Sequence, residues 1–270
     1  MHFFDNPRPL VFAHRGGCAL GPENTLAAFD LGMAAGADGL ELDVHLSSDG
    51  IVVVHHDVTL DRTTDASGPI AARTAAELAL VNAGNGLTVT GEAVTGAHPG
   101  SMTGVPTLRD VLRRYPGIPI IVEMKVDSPQ MGHAVAQEVV NAGAIGRVCA
   151  AGFGTRSLRA VRKALPALAT SASQWEVRVA LYRTWAHWPV RDAPYGGYQV
   201  PERAGTLRVV SPQFIRYAHA AGFKVQVWTV DDPDDMVRLL EWGADALITN
   251  RPDLAVEVRD AFMKRPRSSS

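Results

Sequence analysis

The sequence predicts an α/β protein closed into a (β/α)8 TIM barrel, and three observations carry that prediction. Short apolar runs of strand type alternate with longer amphipathic runs of helix type along the chain, the pattern of parallel strands with helical crossovers. A small repeat supports it: Gly36-Ala37-Asp38 and Gly243-Ala244-Asp245 each place a glycine after a helix and before a strand, where a helix C′ residue belongs. Finally, eight such strands in 270 residues suit one closed barrel. An open, doubly wound sheet is the alternative, because strand order cannot be read from runs alone.

The elements follow in order. LVFAH (10–14) is a strand, TLAAFDLGMAAG (25–36) a helix and DGLELDV (38–44) a strand. A turn at Ser48-Asp49-Gly50 leads to a second run, IVVVHH (51–56). Residues 59–104, rich in Gly, Thr and Ala, hold only the weak helical pattern TAAELALV (74–81), and a connection this long usually has a task. It is expected to be a small insertion over one end of the barrel. PIIVEMK (119–125), the helical GHAVAQEVVNAG (132–143), RVCAAG (147–152), ALATS (167–171), KVQVWTV (224–230) and ALITN (246–250) restore the rhythm, with a weaker strand near Tyr198-Gln199-Val200. No Pro/Gly/Ser-rich linker divides the chain, so one barrel domain over 1–270 is expected.

Composition excludes several classes. With 26 basic and 28 acidic residues the net charge is −2, which gives no electrostatic reason to expect a nucleic-acid partner. Two distant cysteines, Cys18 and Cys149, suggest neither a disulfide framework nor a thiolate zinc site, and fit a reducing, cytoplasmic setting. The N-terminus lacks the pattern of a signal peptide, and no apolar run reaches membrane-spanning length, so no stable membrane insertion is expected. The basic tail KRPRSSS reads as a solvated end.

The titratable residues gather at strand ends. Glu41 and Asp43 are two apart on a strand and leave one face; Glu123 and Lys125 repeat the arrangement at the end of PIIVEMK. Three converging carboxylates would suit Mg²⁺ or Ca²⁺, while a Glu/Lys ion-pair network across the barrel mouth explains the spacing equally well. His14-Arg15 follows the first strand, where barrels of this kind put reactive groups. The imidazole can exchange protons near neutral pH, and the guanidinium fork matches a phosphate. His56-Asp57 ends the second run. Together these groups suit cleavage of a phosphodiester. His55 should face away from whatever His56 faces, and His45 should lie in a turn; both are expected at the surface or in packing. The tryptophan-rich WEVRVALYRTWAHWP could form an aromatic platform, but packing over a loop is the default.

The motif set resembles the glycerophosphodiester phosphodiesterase family. HRG (14–16), PENT (22–25), ELDV (41–44), HHDVTLDRTT (55–64), VPTLRDVL (105–112), VEMK (122–125), VWTVDDPDDM (227–236) and GADALITNRPD (243–253) occur in the family's order over nearly the whole chain. The resemblance implies a (β/α)8 barrel with an insertion after the HD motif. It implies that Glu41, Asp43 and Glu123 hold one divalent cation, Mg²⁺ or Ca²⁺, and that His14 and His56 are the general acid and base. Arg15 and Lys125 would contact the phosphate, Trp228 would line the alcohol pocket, Asn24 would lie close to the cation ligands, and Glu23 would be mostly structural. The substrate would be a small glycerophosphodiester. Gly152-Phe153 stands where the family often has Ser-Phe, and Trp228-Thr229-Val230-Asp231 where it has Trp-Thr-Val-Asn; both departures bear on substrate preference. A related barrel lyase acting on lysophospholipids or sphingomyelin and a catalytically dead binding barrel are the competing readings, and the second conflicts with the presence of every expected catalytic position.

Overall fold

Backbone hydrogen bonding resolves the strand order that sequence runs leave open. The computed structural model describes residues 3–84, 104–188, 190 and 192–265. It runs β1 (Leu10–His14), α1 (Leu26–Ala34), β2 (Gly39–Leu46), β3 (Val52–Val54), a 3-10 turn (Ile70–Ala72), α2 (Ala75–Leu78), α3 (Leu108–Arg114), β4 (Ile120–Met124), α4 (Pro129–Asn141), β5 (Val148–Ala151), α5 (Thr155–Ala164) and β6 (Ala169–Thr170). It continues with α6 (Gln174–Trp185), β7 (Gly197–Pro201), β8 (Arg203–Ala204), β9 (Leu207–Arg208), α7 (Pro212–Ala220), β10 (Lys224–Trp228), α8 (Pro233–Trp242), β11 (Ala246–Thr249) and α9 (Pro252–Met263).

Eight of these strands pair in the order β6-β5-β4-β2-β1-β11-β10-β7, all parallel. The ends of this row meet through a parallel bridge between Ser171 and Gly197, with Gly196 N–H donating to Thr170 O at 3.0 Å and Ala172 N–H to Gly197 O at 2.9 Å. The sheet is therefore a barrel rather than an open one. β3 pairs antiparallel to β2 outside the ring, and β8–β9 form a small separate hairpin. The expected second run is shorter than the sequence suggests: it is a strand only from Val52 to Val54, although His55 N–H still donates to Asp43 O of β2 at 2.9 Å.

Alternation along each strand sorts residues between the barrel interior and the helix layer. Leu10 and Phe12 pack inward with Ile121, Cys149, Ala246 and Ile248. Their neighbours Val11 and Ala13 face the helices instead. Phe3 and Phe4 join the interior cluster, with the Phe3 ring stacked 5.9 Å from Phe12.

Helix starts follow simple capping chemistry. Thr25 Oγ1 accepts Ala28 N–H at the start of α1, Ser173 and Glu176 form a reciprocal capping box on α6, and prolines open α4, α7, α8 and α9. The two Gly-Ala-Asp repeats have a shared structural use. Gly36 and Gly243 sit at φ +86° and +97°, in the left-handed region open to glycine. Each following aspartate then accepts the N–H of a neighbouring strand: Asp38 takes Val11 N–H and Asp245 takes Val225 N–H, both at 2.8 Å.

Within the expected insertion, residues 85–103 lie outside the described residues. The described part builds a satellite core of Leu60, Ile70, Leu78 and Val81 against Val53 and Val105. The weak helical pattern there is realised only as the single turn of α2. The tryptophan-rich stretch forms α6, and its aromatic residues do not pack into the core: Trp175, Trp185 and Trp188 are 63%, 51% and 66% exposed.

Close packing couples α1 to the loop after β1. A Cβ at Gly32 would lie 2.5 Å from Gly16 O and 2.8 Å from Ala13 Cβ. Gly32→Ala should therefore destabilise the fold by about 1–3 kcal/mol, the usual cost of overpacking, despite the better helix propensity of alanine. The measurement is the denaturant midpoint, and an unchanged or raised midpoint would show that this contact yields freely.

Candidate active site

The inward rows of the barrel strands end in polar residues at their C-terminal mouth. His14 follows Leu10 and Phe12 on β1, Glu41 and Asp43 follow Gly39 on β2, and Glu123 follows Ile121 on β4. Strand register sets them side by side: His14 pairs with Glu41 and Asp43 with Glu123. All four line one cavity of about 680 Å³ together with Arg15, His56, Lys125 and Trp228.

Glu41, Asp43 and Glu123 each offer an oxygen, and these oxygens lie within 4.8 Å of one another. Oxygens bound at roughly 2.0–2.6 Å to one ion lie at most about 5 Å apart, so the donor set fits Mg²⁺ or Ca²⁺. Charge balance supports the fit. Burial, with the charges of Asp43 and Glu123, pushes the Glu41 carboxyl well above its ordinary range, and burial also raises Glu123. Two cations answer part of this negative charge. Lys125 Nζ lies 2.9 Å from Glu123 Oε1 and 3.2 Å from Asp43 Oδ1. Burial works against its ammonium, but the two carboxylates outweigh burial and hold it above its ordinary value.

Arg15 and Asn24 approach from the loops before α1. Both take left-handed backbone, at φ 53° and 59°, a conformation asparagine tolerates and arginine adopts only when the surroundings impose it. That turn aims Arg15 N–H at Glu41 Oε2, 3.1 Å away. Asn24 Nδ2 donates to Asp43 Oδ2 at 2.9 Å and its Oδ1 accepts Asp43 N–H at 3.3 Å. Arg15 Nη1 pairs with Glu23 at 3.0 Å. Its Nε, 3.3 Å from Asp43 Oδ2, is buried and makes no hydrogen bond, alone in this among the described side-chain polar atoms.

The two histidines are held by different partners. His14 Nδ1 lies 2.7 Å from Asn250 Oδ1, an acceptor, which leaves Nε2 facing Glu41 Oε2 at 3.8 Å. Asn250 is itself oriented by Asp231, whose Oδ2 accepts its Nδ2–H at 2.7 Å. Burial lowers the pKa of His14, and the Asn250 contact offsets this only in part. His56 Nδ1 lies 2.6 Å from Asp57 Oδ1. Arg62 Nε in turn donates to Asp57 Oδ2 at 2.6 Å, while its Nη1 and Nη2 grip both oxygens of Glu23. Arg62, assisted by His56, holds Asp57 well below the usual carboxylate range.

The expected acid, base, cation ligands, Arg15, Lys125 and Trp228 line this mouth, Asn24 meets it through Asp43, and the adjacent histidines divide as strand alternation suggests. His56 lines the cavity, whereas His55 is buried, with contacts to Asp57 O at 3.0 Å and Thr63 Oγ1 at 3.2 Å. His45 is not in a turn: it lies buried in β2, with Nε2 3.0 Å from His56 O, so it braces the backbone of its neighbour. Sequence reasoning passed over Asp231 and Asn250, Asp57 as a partner of His56, and Arg62. Their signals were present in ITN, HD and the DxxxxR spacing of 57–62, but the contacts of Asn250 with His14 and of Arg62 with Glu23 join loops far apart in the chain. Glu23, read as mostly structural, links Arg15 to Arg62.

A (β/α)8 barrel that gathers acids, cations and imidazoles in one cavity at its C-terminal strand ends has the architecture of a barrel enzyme. A model of the glycerophosphoryl diester phosphodiesterase family matches residues 14–254, and the chain belongs to that family and is a glycerophosphodiester phosphodiesterase by kind. It is 31% identical over 256 residues to a glycerophosphodiester phosphodiesterase of Caldanaerobacter subterraneus subsp. tengcongensis, covering 93% of this chain and 98% of the relative. Among solved structures, the glycerophosphoryl diester phosphodiesterase domain of an uncharacterized Mycobacterium tuberculosis protein matches with a TM-score of 0.80 at 25% identity, covering 93% of this chain and 99% of that one. An Oleispira antarctica phosphodiesterase solved with its product sn-glycerol-3-phosphate matches with a TM-score of 0.72 at 25% identity, covering 94% and 97%.

The His14 environment sets a direction for its titration. In protein free of divalent cations the imidazole should titrate below the ordinary value of about 6.5, staying neutral further into the acidic range. Asn250→Ala should lower it again, because the hydrogen bond that favours the charged ring is lost. Ring-proton NMR titration reads both values; a variant titrating at or above the wild-type value would contradict this account.

Proposed function

We propose that the chain hydrolyses small glycerophosphodiesters to sn-glycerol 3-phosphate and a free alcohol, with a divalent cation at Glu41, Asp43 and Glu123 and proton transfer by His14 and His56. The convergence of three carboxylates, two of them buried, and two separately anchored imidazoles in one cavity carries this reading. The Oleispira antarctica relative holds the product expected of such a reaction. When bound, the cation would neutralise phosphate charge and polarise a phosphoryl oxygen.

The residues of the chain supply the remaining chemistry. Arg15, with its buried Nε lacking a hydrogen bond, and Lys125 are the phosphate-contacting cations. Trp228, set edge-on 5.9 Å from Phe153, lines the wall beside them for the organic part of the substrate. His56 suits the general base: Asp57 orients its ring and stabilises the imidazolium formed when it takes the proton of the attacking oxygen. His14, its Nδ1 tied to Asn250, presents Nε2 to protonate the departing alcohol oxygen. The lowered pKa of His14 makes its imidazolium a stronger acid for that step. Asn24 and Glu23 hold Asp43 and Arg15 in place. The free thiols of Cys18 and Cys149 support a reducing setting, the cytoplasm.

Two experiments test the reading. Exhaustive chelation should abolish release of glycerol 3-phosphate from glycerophosphocholine, and Mg²⁺ or Ca²⁺ should restore it. The same ion should raise the melting temperature of the wild type, and less so that of Asp43→Asn; full activity after chelation would remove the cation from the scheme.

The adjacent histidines provide the second. His56→Ala should lose on the order of a hundredfold or more in kcat, as loss of a general acid–base group does. His55→Ala should keep kcat while unfolding at lower temperature, since it is buried and bonded at both ring nitrogens. Equal kcat losses in two folded variants would contradict the assignment.

A further inference from the structure

The wall of the cavity farthest from the carboxylates carries a charge of its own. Round the ring β6-β5-β4-β2-β1-β11-β10-β7, closed by the Ser171–Gly197 bridge, β7 stands four strands from β2 in either direction. The segments that follow β6 and β7 therefore face the acidic strand ends across the mouth: α6 with Val177, Arg178 and Leu181, and the β8–β9 hairpin with Arg203 and Leu207. Among the described residues, Glu41, Asp43 and Glu123 are the acids of the lining, and all three stand on β2 and β4.

Arg178 and Arg203 are exposed and, among the described residues, make neither a hydrogen bond nor an ion pair. Other arginines behave differently: Arg109, Arg114, Arg162 and Arg238 each grip a carboxylate through two N–H groups. The acids nearest in sequence are already committed. Glu176 accepts Arg162 Nη1 and Nη2 at 2.8 and 3.1 Å, and Glu202 accepts those of Arg238 at 2.8 and 2.9 Å. Arg238 is the main influence holding Glu202 below its ordinary value, and Arg203 adds a smaller share. Two unmatched guanidiniums on one wall disfavour a cationic alcohol and leave their N–H forks open to an anion.

We propose that Arg178 and Arg203 form a second anion site, so that the preferred glycerophosphodiesters are those whose alcohol ends in a phosphate monoester or a carboxylate. The inference rests on the phosphodiesterase reading and narrows its substrate class. The glycerol of the expected product carries no charge beyond its phosphate, so the second anion belongs to the alcohol. The reaction is the same hydrolysis: the phosphorus–oxygen bond to the alcohol breaks, the oxygen of water joins phosphorus, a proton passes to the departing oxygen, and the terminal anion leaves unchanged with the alcohol. Charge at both ends then fixes the direction of the substrate, with the scissile phosphate toward Arg15 and Lys125 and the terminal anion toward α6 and the hairpin.

The test uses glycerophosphodiesters of ethyl and butyl alcohols whose far end bears an ammonium, a hydroxyl, a carboxylate or a phosphate group. At least one anion-ended substrate should show kcat/KM tenfold or more above its hydroxyl parent, and whether carboxylate or phosphate gains more identifies the anion. The double variant Arg178→Gln/Arg203→Gln should remove that advantage. Arg113→Gln/Arg216→Gln makes the same change in net charge at exposed arginines outside the cavity and should keep it. An advantage below tenfold for every anion, one that survives the Arg178→Gln/Arg203→Gln variant, or one lost equally in both variants would overturn the second anion site. Failure to cleave any of these diesters would instead overturn the proposed function.

Discussion

Three carboxylates crowded into one small volume, two of them buried, are the constraint around which the rest of the molecule is arranged. Glu41, Asp43 and Glu123 would repel one another and resist burial if left alone. Lys125 sits between two of them, Asn24 donates to the third face of Asp43, and the main chain at Arg15 turns left-handed to point its N–H at Glu41. A closed ring of strands makes this crowding possible. Register across β1, β2 and β4 puts the inward side chains on one level, and the apolar layers beneath, from Phe3 to Ile248, give that level a rigid floor.

Much of this was legible in the sequence, for identifiable reasons. All eight barrel strands announce themselves as short apolar runs, including the weak one around Tyr198, because both faces of each are buried. The residue pair Glu41 and Asp43 was placed on one face by strand periodicity alone, and the same alternation separated His56 from His55. Ring closure was legible only through the count of eight strands, and the strand order that seals the ring was not, since it depends on which strands lie side by side. Nor was the short extent of β3, which ends at Val54. Two of the site partners that escaped notice are long-range. Asn250 reaches His14 across 236 residues of sequence and Arg62 reaches Glu23 across 39, and no local pattern encodes such a pairing. The exposed aromatics of α6 were misjudged because composition does not tell which stripe of a helix faces the core.

The two imidazoles illustrate how the barrel differentiates chemically identical groups. One leans on a neutral amide that is itself fixed by Asp231; the other leans on a carboxylate fixed by an arginine. A neutral partner and an anionic partner fix the two rings by different chemistry, so position in the ring of strands becomes a difference in how each imidazole is held. Each support comes from a different region, the loop after β11 for His14 and the start of the insertion for His56, and neither depends on the other.

Arg62 is the point where the insertion meets the barrel. It spans Asp57, Glu23 and, through Glu23, Arg15, so the first turn of the insertion is a tie-beam between two loops that otherwise leave the barrel separately. The consequence is a division of freedom within a single connection. Among the described residues, chain from Thr64 to Gly84 forms no ion pair with the barrel and meets it instead through the satellite core around Leu60 and Ile70 and through Ser48 N–H to Arg73 O and Ala75 N–H to Asp49 Oδ1. The six residues from Asp57 to Arg62 cannot change length without detaching one wall of the mouth from the other. An exchange of outer caps between related barrels would therefore have to be cut after this span rather than at the visible end of the strand.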